Sequence, residues 1–177
     1  MNRTEELCVA CGLCCDGTLF DFVKLESGDD GAKLKGLGLP VKVSRGASPV
    51  ARFPQPCAAL CADRTCRLYA ERPRQCRMFE CGVLKDARAG RITFAAALRL
   101  VKQARRRADE ARRLLGELGD TETHRALGER FHRMAERLES GAPDAAANAT
   151  FADLSLVMHR LKLQTLEKFY TKTAAGD

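Results

Sequence analysis

The chain has 177 residues, of which 45% are hydrophobic and 30% charged, with a formal net charge of +7. That size suits one domain, or a core with an appendage, and buries an apolar core without covalent staples. The balance is that of a soluble globular protein; it excludes a membrane span, because the longest apolar run, "ITFAAAL", stops at Arg99, far short of the ~20 residues a bilayer needs.

Nine cysteines open the sequence reading, at positions 8, 11, 14, 15, 57, 61, 66, 76 and 81. They begin too early for a signal peptide's charged and apolar regions, so cytoplasm is the expected compartment. Thiols stay reduced there, and a cysteine cluster in that setting reads as metal-binding or redox-active instead of a disulfide framework. The odd count also disfavours complete pairing.

In chain order, "CVACGLCC" supplies two overlapping Cys-x2-Cys steps, with Gly12 relaxing the backbone between them. Adjacent Cys14 and Cys15 point apart if the chain is extended there. "TLFDFVKL" (18–25) alternates as a strand, and "PVKVS" (40–44) is its expected partner across "SGDDGAKLKGLG", read as a surface loop. The second cysteine set, "PCAALCADRTCRLYAERPRQCRMFEC", follows with intervals of x3, x4, x9 and x4.

From Thr93 the pattern turns helical. Thr93 is the expected N-cap of a long helix striped by Phe94, Leu98, Val101, Ala104, Ala108, Ala111, Leu115 and Leu118, with alanines permitting close helix contact. Gly119 and Asp120 stop it. Leu127, Phe131, Met134 and Leu138 stripe a second helix that ends at "SGAP" (140–143). A third spans about 150–170, with apolar residues spread widely enough to suggest packing on two sides. The expected fold is mainly α: an irregular cysteine-rich metal-binding half with short β-strands (residues 1–90), packed on a C-terminal bundle of about three helices (91–177).

Short irregular segments that present several thiols are what zinc and iron–sulfur centres require. His124, His132 and His159 all lie in the helical half and read as ordinary helix residues. An all-thiolate site of four or more cysteines is therefore expected. The first set resembles the start of a ferredoxin-type motif without its last step, and the second contains no Cys-x2-Cys knuckle. Spacing leaves zinc and iron–sulfur open.

Together the two sets resemble the YkgJ-type cysteine-cluster family of zinc- or iron-chelating proteins. The resemblance rests on Cys8, Cys11, Gly12, Cys14, Cys15, Pro56, Cys57, Cys66, Tyr69, Arg72, Pro73, Cys76, Arg77, Phe79 and Cys81, and covers about residues 7–82. It implies metal chelation by Cys8, Cys11, Cys14, Cys15, Cys57, Cys66, Cys76 and Cys81; Cys61 lies outside the pattern. A relative with a similar cluster, flagellin lysine N-methylase, uses S-adenosylmethionine, but no Gly-rich nucleotide loop or other signature of that cofactor is present here. Arg72 and Arg77 are expected to offset the negative charge of a thiolate site, and Pro73 and Phe79 to shape its surroundings.

"KQARRRADEARR" (102–113) offers arginines to a phosphate backbone, yet Asp109 and Glu110 interrupt it and no aromatic residues are interleaved. Nucleic acid is disfavoured as a partner. The sequence therefore supports a cytoplasmic protein that binds metal ion, with a protein client as further partner. Two alternatives stay open: an iron–sulfur redox or modification enzyme resembling the lysine methylase and, with less support, a zinc-dependent nucleic-acid-binding module.

Overall fold

A computed structural model describes residues 3–45, 49–141 and 144–170. The protein is mainly helical with one small sheet, as the sequence pattern implies. In order, the elements are α1 (Arg3–Cys11), β1 (Phe22–Lys24), α2 (Gly31–Gly36), β2 (Lys42–Val43), β3 (Ala51–Pro54), α3 (Arg74–Met78), α4 (Gly82–Arg88), α5 (Phe94–Glu117), α6 (Leu127–Ser140) and α7 (Ala145–Gln164). α7 runs on into a single π-helical turn at Thr165–Phe169.

These elements form two compact units, neither continuous in sequence. One comprises Met1–Cys11, Glu80–Gly119 and Arg137–Asp177; the other comprises Gly12–Phe79 and Asp120–Glu136. The change of texture near residue 90 is thus a change of composition, while the contact boundaries fall elsewhere. α1 joins the helices of the first unit, and the chain from Asp120 into α6 belongs to the second.

The helical unit is organised by α5. Thr93 Oγ1 accepts the Ala96 N–H at 3.2 Å and caps its start, as expected. Ala97, Val101, Ala104, Ala108, Ala111 and Leu115 are buried along it, and the alanines let α7 approach closely. Phe94, Leu98 and Leu118 lie half-buried at the margins of that stripe. α7 begins earlier than its apolar pattern indicates, because the Asp144 carboxylate accepts the Ala147 N–H at 2.7 Å. It packs on one side only: Leu154, Val157 and Leu161 are buried, while Leu156, Leu163 and Leu166 are about half exposed. α6 ends at Ser140; part of the stop signal, residues 142–143, lies outside the described residues.

Gly82 sets the seat of α4 against the π-helical turn. A Cβ there would lie 2.5 Å from the Lys168 carbonyl oxygen, a backbone atom that cannot swing aside. Gly82→Ala is therefore expected to cost about 1–3 kcal/mol through forced separation of the two segments. Gly116, exposed within α5 with open space around it, gives the opposite sign. Gly116→Ala should stabilise by up to about 1 kcal/mol through helix propensity. Denaturant melts of the two variants check both signs; equal effects would refute the packing account.

In the second unit the sheet order is β1-β3-β2, all antiparallel. β1 and β2 do not pair with each other as the sequence suggests; each pairs with β3, which lies between them. The connection expected to be a plain loop contains α2, started by Asp30 accepting the Lys33 N–H at 2.8 Å. Val23, Leu34, Leu39, Phe53, Ala59 and Leu68 form the core of this unit. Leu127 N–H donates to the Gly17 carbonyl at 2.8 Å and ties the start of α6 to it. Nearby, Arg130 and Asp120 form a buried ion pair at 2.6 Å, each side chain only 6% exposed.

Candidate metal centre

Among the described residues none of the nine cysteines is joined in a disulfide. "CVACGLCC" does not act as one irregular loop. Cys8 and Cys11 lie on α1, exposed and buried respectively, and the helix ends where Gly12 takes a φ of +67°, a left-handed value glycine adopts without cost. Cys14 and Cys15 follow on the turn closed by Cys15 N–H and Asp16 N–H, both donating to the Gly12 carbonyl. Because this backbone is turned and not extended, the two sulfurs do not point apart; they stand 3.7 Å from each other.

The unit division separates the eight cysteines implied as ligands. Cys8, Cys11 and Cys81 belong to the helical unit, and Cys14, Cys15, Cys57, Cys66 and Cys76 to the sheet unit, together with Cys61. Within the sheet unit, three distant segments bring thiols to one place. Cys57, Cys66 and Cys76 all pack against the apolar cluster around Val23 and Phe53. Cys57 N–H donates to the Cys15 carbonyl at 2.8 Å. Cys66 is positioned by a β-bridge to Leu60 and by Arg67 N–H donating to the Ala59 carbonyl. α3 carries Cys76 and is anchored from its neighbours: Gln75 Oε1 accepts the Lys24 N–H at 2.7 Å, and Asp29 accepts the Arg74 N–H at 2.8 Å.

Charge follows this geometry. The neighbouring Cys14 thiol, bonded to that of Cys15, holds Cys15 below the usual thiol range against burial and the Asp16 carboxylate. Burial pushes Cys57 and Cys66 up. Cys76 is pushed up to about 12, first by burial and then by Cys15, Cys57 and Cys66. Each of these thiols thus lies within electrostatic reach of the others. Cys61 also acts on Cys66, more weakly than Cys15 does.

Arg72 supplies the compensating cation, lowering Cys15, Cys66 and Cys76 while its guanidinium stacks on Tyr69 at 3.7 Å from the ring centroid. Arg77, expected in the same role, is exposed, and among the described residues its side chain has no hydrogen-bond or ion-pair partner. Phe79 meets Phe20 edge-on at 4.8 Å, and Pro73 is buried, both in shaping positions.

Sequence reasoning did not identify one local feature. The Cys57 sulfur receives the backbone N–H of Ala59, two positions on, at 3.4 Å, while the Leu60 N–H donates to the Cys57 carbonyl at 3.0 Å. At Cys66 and Cys81 the nearby backbone N–H groups of Leu68 and of Val83 and Leu84 work against the upward push of burial. A neutral thiol is a weak acceptor, so N–H groups aimed at sulfur return most when the sulfur is a thiolate. The letters "CAA" carry no trace of this in side-chain chemistry, since the donor is backbone.

The donor chemistry fits a thiophilic cation: sulfur only, half-buried, with one arginine against several thiols. The positions are not yet those of a bound ion, since among the described residues no three Cys, His, Asp or Glu side chains converge on a metal-sized point. His132 and His159 are exposed on helices as expected, whereas His124 lies in the turn before α6. Among the described residues no helix is long and apolar enough to cross a membrane. Comparison of the chain with protein families, with curated proteins and with solved structures finds no match.

Proposed function

We propose that this is a metal-binding protein in which Cys15, Cys57, Cys66 and Cys76 hold zinc or an iron–sulfur centre. The observation that carries the reading is that Cys57, Cys66 and Cys76, from three separate segments, pack against one apolar cluster, with Cys57 tied to Cys15 through its backbone and its sulfur met by the Ala59 N–H. Hydrogen bonds to sulfur orient a thiolate ligand and lower the cost of its negative charge. Burial disfavours the free thiolates, and a bound cation reverses that balance by supplying the opposing charge. A cysteine has one side-chain dihedral, so rotation about it redirects sulfur without moving the backbone. The resemblance to YkgJ-type zinc- or iron-chelating proteins agrees with this reading and extends it to Cys8, Cys11, Cys14 and Cys81.

The test is anaerobic purification followed by elemental analysis and an absorption spectrum. Zinc in a colourless protein, or iron and sulfide with broad absorption near roughly 400 nm, supports the proposal and identifies the centre. Protein that is metal-free as purified, and that takes up neither zinc nor iron and sulfide on reconstitution, overturns it.

A further inference from the structure

The helical unit contains a groove of about 620 Å³ that has no part in the thiol cluster. Val83, Ile92, Ala96 and Leu100 form its apolar lining, and Arg99, Lys102 and Arg106 stand along it from one helix, α5. Their spacing puts all three on one helical face. Like charges three and four residues apart repel, so this arrangement works against the helix that carries it. Among the described residues none of the three has an acidic partner. The one acid in the lining, Asp86, is occupied by Arg91, and the fourth cation, Lys168, is paired with Glu167.

The rest of the basic segment is used differently. Arg105 donates to the Ala10 carbonyl at 2.8 Å, Arg107 to Gln164 Oε1 at 2.5 Å, and Arg112 and Arg113 pair with Asp109 and Glu117. Gln164 in turn donates to Gln103 Oε1 at 3.1 Å, which holds the Gln103 amide at the groove wall. Within this helix the cations that have neither a hydrogen-bond nor an ion-pair partner among the described residues are thus those of the groove face, next to an apolar lining.

We infer that this groove binds a small organic oxyanion with an apolar body, phosphate- or carboxylate-headed, its head held by Arg99, Lys102 and Arg106 and its body on Val83, Ile92 and Leu100. The volume is that of a small-molecule pocket, and arginine forks match oxyanion geometry. The lining holds no aromatic residue on which a base would stack, which separates this ligand class from single-stranded nucleic acid.

Isothermal titration calorimetry on the full-length protein tests the inference, with hexyl phosphate, inorganic phosphate and hexanol as probes. Hexyl phosphate should bind once per chain, at least about tenfold more tightly than inorganic phosphate, with hexanol weaker still. The double variant Arg99→Ala/Arg106→Ala should lose at least about tenfold in hexyl phosphate affinity while melting like the parent, since neither side chain has a partner to lose. Arg113→Ala, outside the groove, should bind as the parent does. Equal affinity for inorganic and hexyl phosphate would reduce the groove to a bare charge patch and overturn the inference. So would undiminished binding by the double variant, or binding of a single-stranded oligonucleotide with no response to hexyl phosphate. Metal content enters none of these outcomes, so the inference stands or falls apart from the metal reading.

Discussion

Cys76→Ser is expected to lose most of the bound metal and to melt well below the parent, whereas Cys61→Ser should retain both metal and stability. Cys76 is the thiol on which the charges of Cys15, Cys57 and Cys66 all act, and it is packed against the apolar cluster of the sheet unit. Serine there is a poor ligand in an apolar setting and removes one of four proposed donors. Folding free energy drawn from metal binding in small cysteine sites reaches about 10 kcal/mol, so loss of a ligand outweighs any packing change from sulfur to oxygen. Cys61 acts on Cys66 more weakly than Cys15 does, and sits in a turn whose backbone bonds, Cys61 N–H to Thr65 and Arg64 N–H to Cys61, do not involve the thiol. The eight-cysteine set implied by resemblance makes Cys11→Ser as damaging as Cys76→Ser. The unit division makes Cys76→Ser the larger loss. Metal per protein, measured by mass spectrometry beside a thermal melt, decides. Full metal in Cys76→Ser, or equal losses in Cys61→Ser and Cys76→Ser, would sink the proposed ligand set.

Asp120→Ala should be among the most destabilising single changes outside the cysteines. The Arg130 guanidinium is buried and meets the Asp120 carboxylate at 2.6 Å. Removal of the acid leaves a desolvated cation without its counter-charge, a loss of about 3–5 kcal/mol in comparable buried pairs. For a chain of this length that corresponds to a fall in melting temperature of roughly 10 °C. Asp120 also accepts the Glu122 N–H at 3.2 Å, so the turn into α6 loosens with it. Glu117→Ala provides the contrast: its partner Arg113 is exposed, and water takes over when the pair is lost, so the melt should hardly move. Replacement of both members of the buried pair by apolar residues of similar volume, Asp120→Leu with Arg130→Met, should recover much of the loss, because no orphaned charge remains. A melt of Asp120→Ala indistinguishable from the parent would show that Arg130 is solvated in solution.

The features legible in the sequence are those determined by neighbours along the chain. Thr93 caps α5 because its hydroxyl and the N–H it satisfies are three residues apart. The alanine stripe of α5 follows the 3.6-residue period, and its burial needs only that some partner be present. Confinement of the cysteines to residues 8–81, with all three histidines later in the chain, is the sequence feature from which the proposed donor set is all sulfur.

What required the tertiary structure is non-local or carried by backbone. β3 is a short "ARFP" with little alternation, so no period marks it as the strand that separates β1 from β2. α1 holds two cysteines and has weak amphipathic character, and its packing against α5 decides its state. Arg72 and Arg77 are equivalent as letters. Only the stacking of Arg72 on Tyr69 directs its charge to the thiols. The N–H group that meets the Cys57 sulfur belongs to Ala59, whose side chain gives no sign of the role. Donor chemistry is a property of residue type and can be read in one dimension. Which thiols come near one another depends on chain direction at each cysteine, and packing around Val23 and Phe53 and the backbone bond from Cys57 to Cys15 set that direction.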